Sequence, residues 1–274
     1  MRATEHNYRT AWQSRFEQLN PPTPWALAVA GGQCAIDLAN VFIAGYQAAI
    51  RATFSVAFTG WVSYAASEDR SEINPLPGLS VTRSPDQGYV LNGCKTWIAA
   101  IDHVDELVVK GGGATPGYFR VARGTPGLTL APNPKAPSML PTLSQGRALF
   151  SNVLLDESAK LAPGQIKQFA TLEALYIETA FCAWVASTHE REPDGVRKSE
   201  AAASIARANS LLTTSAGLSP VTEAGGALSA FDQEVQQLRI SLSDTVWSSD
   251  ADWMRDQSLI KMYSRALQPA KSDG

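Results

Sequence analysis

Two changes of hydrophobic period divide this chain into three zones, residues 1–62, 63–158 and 159–274. An amphipathic helix repeats its apolar residues every three to four positions and a half-buried strand every two. In the first zone Pro21, Pro22 and Pro24 separate a polar leader from a dense apolar stretch, 25–54. That stretch is interleaved with small residues, among them Ala39, Ala44, Gly45, Ala48 and Ala49. Small residues let helices approach closely, so the spacing predicts buried helices, with Gly31-Gly32 as a break between two of them. The second zone has the rhythm of strands and turns. Leu79-Ser80-Val81-Thr82 alternates, and Asp86-Gln87-Gly88 reads as a turn. Asn92-Gly93 reads as a tight hairpin turn between Tyr89-Val90-Leu91 and Lys95-Thr96-Trp97-Ile98. Leu107-Val108-Val109 and Tyr118-Phe119-Arg120-Val121 follow as strands, then a turn at Thr125-Pro126-Gly127. Such spacing predicts a small β-barrel or sandwich. The third zone returns to helical spacing over 165–188, 200–216, 228–247 and 252–267, the last capped at Asp250 or Asp252. Helices, then strands, then helices make an α+β protein rather than one built of alternating βαβ units.

Composition removes several function classes. A net charge of −3 with no basic stripe argues against nucleic acid as partner. Cys34, Cys94 and Cys182 are odd in number and far apart, and His6, His103 and His189 are scattered, so no metal site is expected. Free thiols suit a reducing cytoplasm, and the polar N-terminus lacks the apolar core of a signal peptide. No apolar stretch approaches the roughly 20 residues of a membrane span. Gly111-Gly112-Gly113 has no Lys-Ser/Thr pair after it and reads as a loop rather than a phosphate cradle.

Five ordered blocks carry a resemblance. They are Tyr64-Ala65-Ala66-Ser67-Glu68, the segment from Gly88 to Ile98 with its Leu91-Asn92-Gly93-Cys94-Lys95-Thr96-Trp97-Ile98 core, Asp105-Glu106-Leu107-Val108-Val109, Thr125-Pro126-Gly127-Leu128 and Leu149-Phe150-Ser151-Asn152-Val153. Together they resemble the middle domain of the acyl-CoA dehydrogenases, and Trp253-Met254-Arg255-Asp256 resembles the start of that family's last helix. The resemblance implies an N-terminal helical segment, a middle β-barrel and a C-terminal helical bundle. At 274 residues the helical zones would be short for the family, with truncated N-terminal helices. It implies FAD as cofactor, an acyl-CoA or other acyl thioester as substrate, and a homodimer or homotetramer, or a heteromer with a full-length family member.

The chemistry so implied is α,β-dehydrogenation, in which a carboxylate takes the α-proton while FAD accepts a hydride from the β-carbon. Base and acceptor must be fixed on opposite sides of one bond before reaction. One family position for the base, counted from Arg255-Asp256, falls at Tyr263-Ser264-Arg265, and Ser264 cannot be a carboxylate base. The other falls in Thr171-Leu172-Glu173-Ala174-Leu175 and names Glu173. Ile177, Ala180, Phe181 and Trp184 lie on the helical face of Glu173, so desolvation should raise its pKa; an ordinary helix-start glutamate is the alternative. Glu178 lies about 140° around the same helix, away from that face.

The resemblance places Ala66, Ser67, Trp97, Ile98 and Ala99 along the flavin and lets Arg191 stand for an arginine that reaches a neighbouring subunit's FAD. Ala99 stands where the family carries a threonine hydroxyl. Glu68-Asp69-Arg70-Ser71-Glu72 replaces a turn that holds phosphates, and its carboxylates would repel them. These departures support a second reading, a non-catalytic or partner subunit of the same fold that has lost FAD and CoA binding. A third is an α+β domain with coincidental strand motifs.

Overall fold

The computed structural model describes residues 2–71, 75–84, 88–134, 137–162, 164–188, 198–220, 226–244, 247 and 249–268. They form two compact units, one of Phe54–Gly164 and one of Ala3–Thr53 with Gln165–Gly274.

The first unit is built from β1 (Val62–Ala65), β2 (Ser80–Ser84), β3 (Gly88–Ala99), β4 (Glu106–Gly111), β5 (Gly117–Ala122), β6 (Leu128–Pro132), β7 (Gln145–Leu155) and β8 (Lys160–Leu161). Two four-stranded sheets result, in the orders β1-β4-β5-β8 and β2-β3-β7-β6. Strands β1 and β4 run parallel, with Val62 opposite Glu106. Alternation sends Leu91, Ile98, Leu107, Val109, Ala148 and Phe150 into one shared core.

Asn92-Gly93 is not a hairpin turn. It lies inside β3, which runs on because the long β7 pairs with it from Tyr89 opposite Leu155 to Ala99 opposite Gln145. The register shifts between Leu91 and Gly93, a β-bulge. Gly93 has φ 125°, and a Cβ there would collide with the Gly78 carbonyl. A tight turn and a bulge both ask for such a residue, so the dipeptide alone could not separate them. Asp86 and Gln87 of the other expected turn lie outside the described residues.

The second unit holds α1 (Arg2–Gln18), α2 (Pro24–Cys34), α3 (Leu38–Thr53), α4 (Phe169–Thr188), α5 (Lys198–Ser215), α6 (Gly226–Asp244), α7 (Ala251–Asp256) and α8 (Ser258–Ser264). Thr23 caps α2 and Asp250 caps α7, each through its side-chain oxygen. The helix expected over 252–267 is two, because the chain tightens at Gln257, whose carbonyl accepts from the Ile260 amide three residues on. Gly31-Gly32 is not a break but lies within α2. A Cβ on Gly32 would collide with the Ala180 carbonyl, and one on Gly45 with the Ile177 backbone. The glycines are therefore where α2 and α3 close on α4. Residues Ile166–Ser187 are long and apolar enough to cross a membrane by length and composition, contrary to expectation, and most of that stretch is buried in the protein.

Candidate functional site

Glu173 stands in the second turn of α4. Ile177, Ala180 and Phe181 on its face are wholly buried and Trp184 nearly so. The Tyr263 hydroxyl at the end of α8 donates to Glu173 Oε1 at 3.2 Å. Nearby the Thr171 hydroxyl donates to the Ala266 carbonyl at 3.3 Å, tying the chain after α8 to the first turn of α4. Burial pushes the Glu173 carboxyl up to about 7, against the smaller opposing effect of the Tyr263 hydrogen bond. A carboxyl so poised is half ionised at neutral pH, which suits it to take a proton.

Ser264, beside Tyr263, turns to a different neighbour. Its hydroxyl donates to Asp232 Oδ2 on α6 at 2.8 Å. Asp232 also accepts from Gln268 Nε2, and from Gln236 Nε2 at 3.1 Å. Glu178 meets Asp232 from α4 and is completely buried. The helical period places Glu178 away from Glu173 correctly but says nothing of Asp232, which comes from 54 residues further along a different helix.

In the barrel unit Ala66 and Ser67 follow β1, and the Ser67 hydroxyl is exposed. The Ser67 carbonyl accepts from the Thr96 amide at 3.0 Å. Trp97 is partly buried and donates its indole N–H to Gln145 Oε1 at 3.1 Å. Ile98 lies in the barrel core, and buried Ala99 donates its amide to Ser63 Oγ at 3.1 Å. Neither offers a side-chain donor to a ligand. Arg191 lies outside the described residues.

Beside Ser67 a cavity of about 660 Å³ is lined by Ala66, Ser67, Glu68, Asp69, Arg70, Lys95, Lys110, Gly111 and Gly112. Its charges are unevenly committed. Buried Lys95 donates to Glu68 at 2.5 Å and to the Ala66 carbonyl at 3.4 Å. That hydrogen bond holds the Glu68 carboxyl below the usual range, while burial draws the Lys95 ammonium down. Asp69 turns into its own loop, accepting from the Leu76 amide and from the Ser71 amide and hydroxyl, which lower it to about 2. Arg70 and Lys110 are not ion-paired among the described residues. Lys95 thus balances Glu68, whereas Asp69 keeps its negative charge within its own loop and Glu72 lies outside the described residues; Arg70 and Lys110 add two cations to the cavity wall. An exposed serine, a partly open indole ring and two cations outside any ion pair among the described residues are a set that fits a flavin ring with a phosphate-bearing ligand. No group of metal-ligating side chains occurs among the described residues.

No family model matches the sequence, and no curated protein sequence matches it. Solved structures do match. An FAD-dependent dehydrogenase aligns with TM-score 0.63 and 14% identity over 96% of this chain and 90% of its own. Butyryl-CoA dehydrogenase from Megasphaera elsdenii aligns with TM-score 0.63 and 13% identity over 95% and 85%. The prolyl acyl carrier protein oxidase AnaB aligns with TM-score 0.59 and 15% identity over 94% and 85%. The fold is that of the acyl-CoA dehydrogenases.

Proposed function

We propose that the chain is an acyl-CoA dehydrogenase-like flavoprotein that oxidises the Cα–Cβ bond of an acyl thioester, carried by CoA or by a carrier protein. The observation that carries this reading is Glu173, a desolvated carboxyl brought to about 7 and steadied by Tyr263. Ser67, the Ala66 backbone and the Trp97 ring would hold FAD, which when bound supplies the acceptor for the β-hydride. Glu173 takes the α-proton. Its apolar neighbours shield the half-buried carboxyl from part of the solvent, so the carboxylate is a stronger base than in open water. The Tyr263 hydroxyl fixes Oε1, so the base keeps one orientation before reaction. Arg70 and Lys110 would attract the phosphates of the ligand to the barrel cavity.

The test is spectral. Purified protein supplemented with FAD is expected to retain the yellow flavin absorbance, and a panel of acyl-CoA and acyl-carrier thioesters to bleach it. Glu173→Gln should keep the absorbance and lose the bleaching. The buried, hydroxyl-free Ala99 favours the second reading, a subunit of this fold without catalysis; absence of retained flavin from the wild type would decide for it.

A further inference from the structure

Glu178 holds a contradiction that one proton resolves. Its side chain is wholly enclosed, yet Oε2 has no hydrogen-bond partner when the carboxyl is counted as an acceptor. Its other oxygen accepts only a long bond from Gln236 Nε2, at 3.4 Å. Asp232, 1% exposed, faces it from α6 and is already an acceptor for Ser264, Gln268 and Gln236. Two carboxylates cannot both ionise in contact without a cation. No lysine or arginine is ion-paired with either among the described residues. Of the elements packed on α4, α6 brings Asp232 and α8 brings neutral Ser264, while the titratable Cys182 thiol lies one turn along α4 itself. The charge that acts most on Glu178 is that of Asp232; Arg239 of α6 reaches the pair only through Gln236, and no cation of α2, α3 or α5 is ion-paired with either carboxyl among the described residues. A carboxylic acid, unlike a carboxylate, can donate.

We infer that Glu178 and Asp232 share one proton, Glu178 as the acid donating to Asp232 as the anion, and that this pair positions α8. The anion is the anchor. It accepts from Ser264, the residue after Tyr263, and from Gln268 just beyond the helix, which in turn accepts from Ser229 at 2.9 Å. Gln236 bridges the pair to the Ile260 carbonyl inside α8 at 3.3 Å. Three bonds from one buried centre therefore fix the helix end that sets the Tyr263 hydroxyl on Glu173. Glu178 and Asp232 are positioning residues that touch no reacting atom. The positioning half rests on reading Glu173 as the base, whereas the shared proton does not.

Two experiments on the whole chain separate the halves. The folding equilibrium constants of wild type and Glu178→Gln are compared by chemical denaturation across pH, with no flavin added. Gln keeps a neutral donor for Asp232. The folded wild type holds a proton that the unfolded chain releases above the ordinary glutamate range. The ratio of variant to wild-type constants should therefore rise about tenfold per pH unit above that range until the pair itself titrates. A flat ratio would overturn the shared proton. For the positioning, the carboxyl carbon of Glu173 is titrated by NMR in Tyr263→Phe, Ser264→Ala and Glu178→Gln. Losing the Tyr263 bond moves the Glu173 midpoint upward, since that bond lowers it. Ser264→Ala should move it the same way, and Glu178→Gln should leave it in place. An unmoved midpoint in Ser264→Ala, with a moved one in Tyr263→Phe, would overturn the positioning role whatever the catalytic fate of Glu173.

Discussion

The barrel unit and helix α4 of the helical unit handle carboxyl charge in opposite ways. In the barrel the enclosed Lys95 ammonium rests on Glu68, and Arg120 holds Glu106 in a two-pronged pair. In the helical unit Arg255 and Asp256 follow the same rule. The two glutamates of α4 do not. Glu173 faces a hydroxyl and apolar side chains, and Glu178 faces another carboxyl. A charge matched by its opposite stays charged across the neutral range, whereas a carboxyl among neutral groups keeps its proton to higher pH. The barrel is therefore electrostatically settled at neutral pH, and α4 is where protons can move.

The strongest way to break that contrast is Glu173→Gln. A positioned base contributes about 10²–10⁴ in rate, so flavin bleaching by an acyl thioester should slow by at least about a hundredfold. The same substitution should stabilise the protein at alkaline pH. The folded value of Glu173 is raised to about 7 from an ordinary 4.5. Its contribution to stability is thus complete below about pH 4.5 and is lost as pH rises through about 7. The difference amounts to about 3 kcal/mol at pH 8, which Gln does not lose. Denaturation midpoints that fall equally with pH in wild type and variant would place Glu173 in water and remove its claim as a base.

Glu68→Gln probes the barrel and should have the opposite pH sense. Glu68 is held below its ordinary value, first by Lys95, so its stabilisation is present above that value and lost as pH falls. Breaking a buried ion pair from one side costs about 3–5 kcal/mol; with the Glu68 side chain 44% exposed, about 2 kcal/mol is expected at neutral pH. A neutral effect would mean that Lys95 is held by the Ala66 carbonyl alone, and would dissolve the contrast from the barrel side.

The sequence disclosed these two regions unequally, for a physical reason. The barrel is made of short neighbouring strands, so Leu107-Val108-Val109 and the strand that carries Phe119 could be recognised locally from their apolar runs and the turns between them. The Gly93 bulge escaped because backbone with positive φ serves turns and bulges alike. In the helical unit the period of 3.6 gave the face of Glu173 and turned Glu178 away from it. It could not say that Tyr263, 90 residues on, meets the first or that Asp232 meets the second. Gly31-Gly32 was misread for the same reason, since a glycine that ends a helix and one that admits a neighbouring helix differ only in what lies across from them. Periodicity encodes the direction in which a side chain points; the group at the other end is set by packing.

Tyr263→Phe sharpens the α4 side with a smaller effect. It removes a neutral hydrogen bond to Glu173, worth about 1 kcal/mol, which is somewhat less than one pH unit. Because that bond lowers the carboxyl, its loss should carry the acid limb of the rate profile upward by that amount, with the maximal rate changed far less than in Glu173→Gln. A downward displacement would mean that the hydroxyl serves the protonated form.

The smallest effect should come from a barrel pair that imitates the Lys95 site without its burial. Arg83 and Glu157 approach to 2.7 Å, yet their side chains are 61% and 59% exposed. Glu157 also accepts from the Tyr89 hydroxyl at 2.8 Å. In water the attraction is screened and offset by the entropy of holding two long side chains, so Glu157→Gln should change stability by no more than about 0.5 kcal/mol, and less at high salt. Placed beside Glu68→Gln, it compares an exposed carboxylate–cation pair with one whose cation is enclosed, the cation being Arg83 in the first and Lys95 in the second. If the two substitutions cost the same, proximity of opposite charges rather than removal from water governs the barrel, and the contrast with α4 reduces to the absence of a cation there. If they differ as expected, enclosure is the common cause: it strengthens the attraction between Lys95 and Glu68 and, where no cation is supplied, keeps protons on α4.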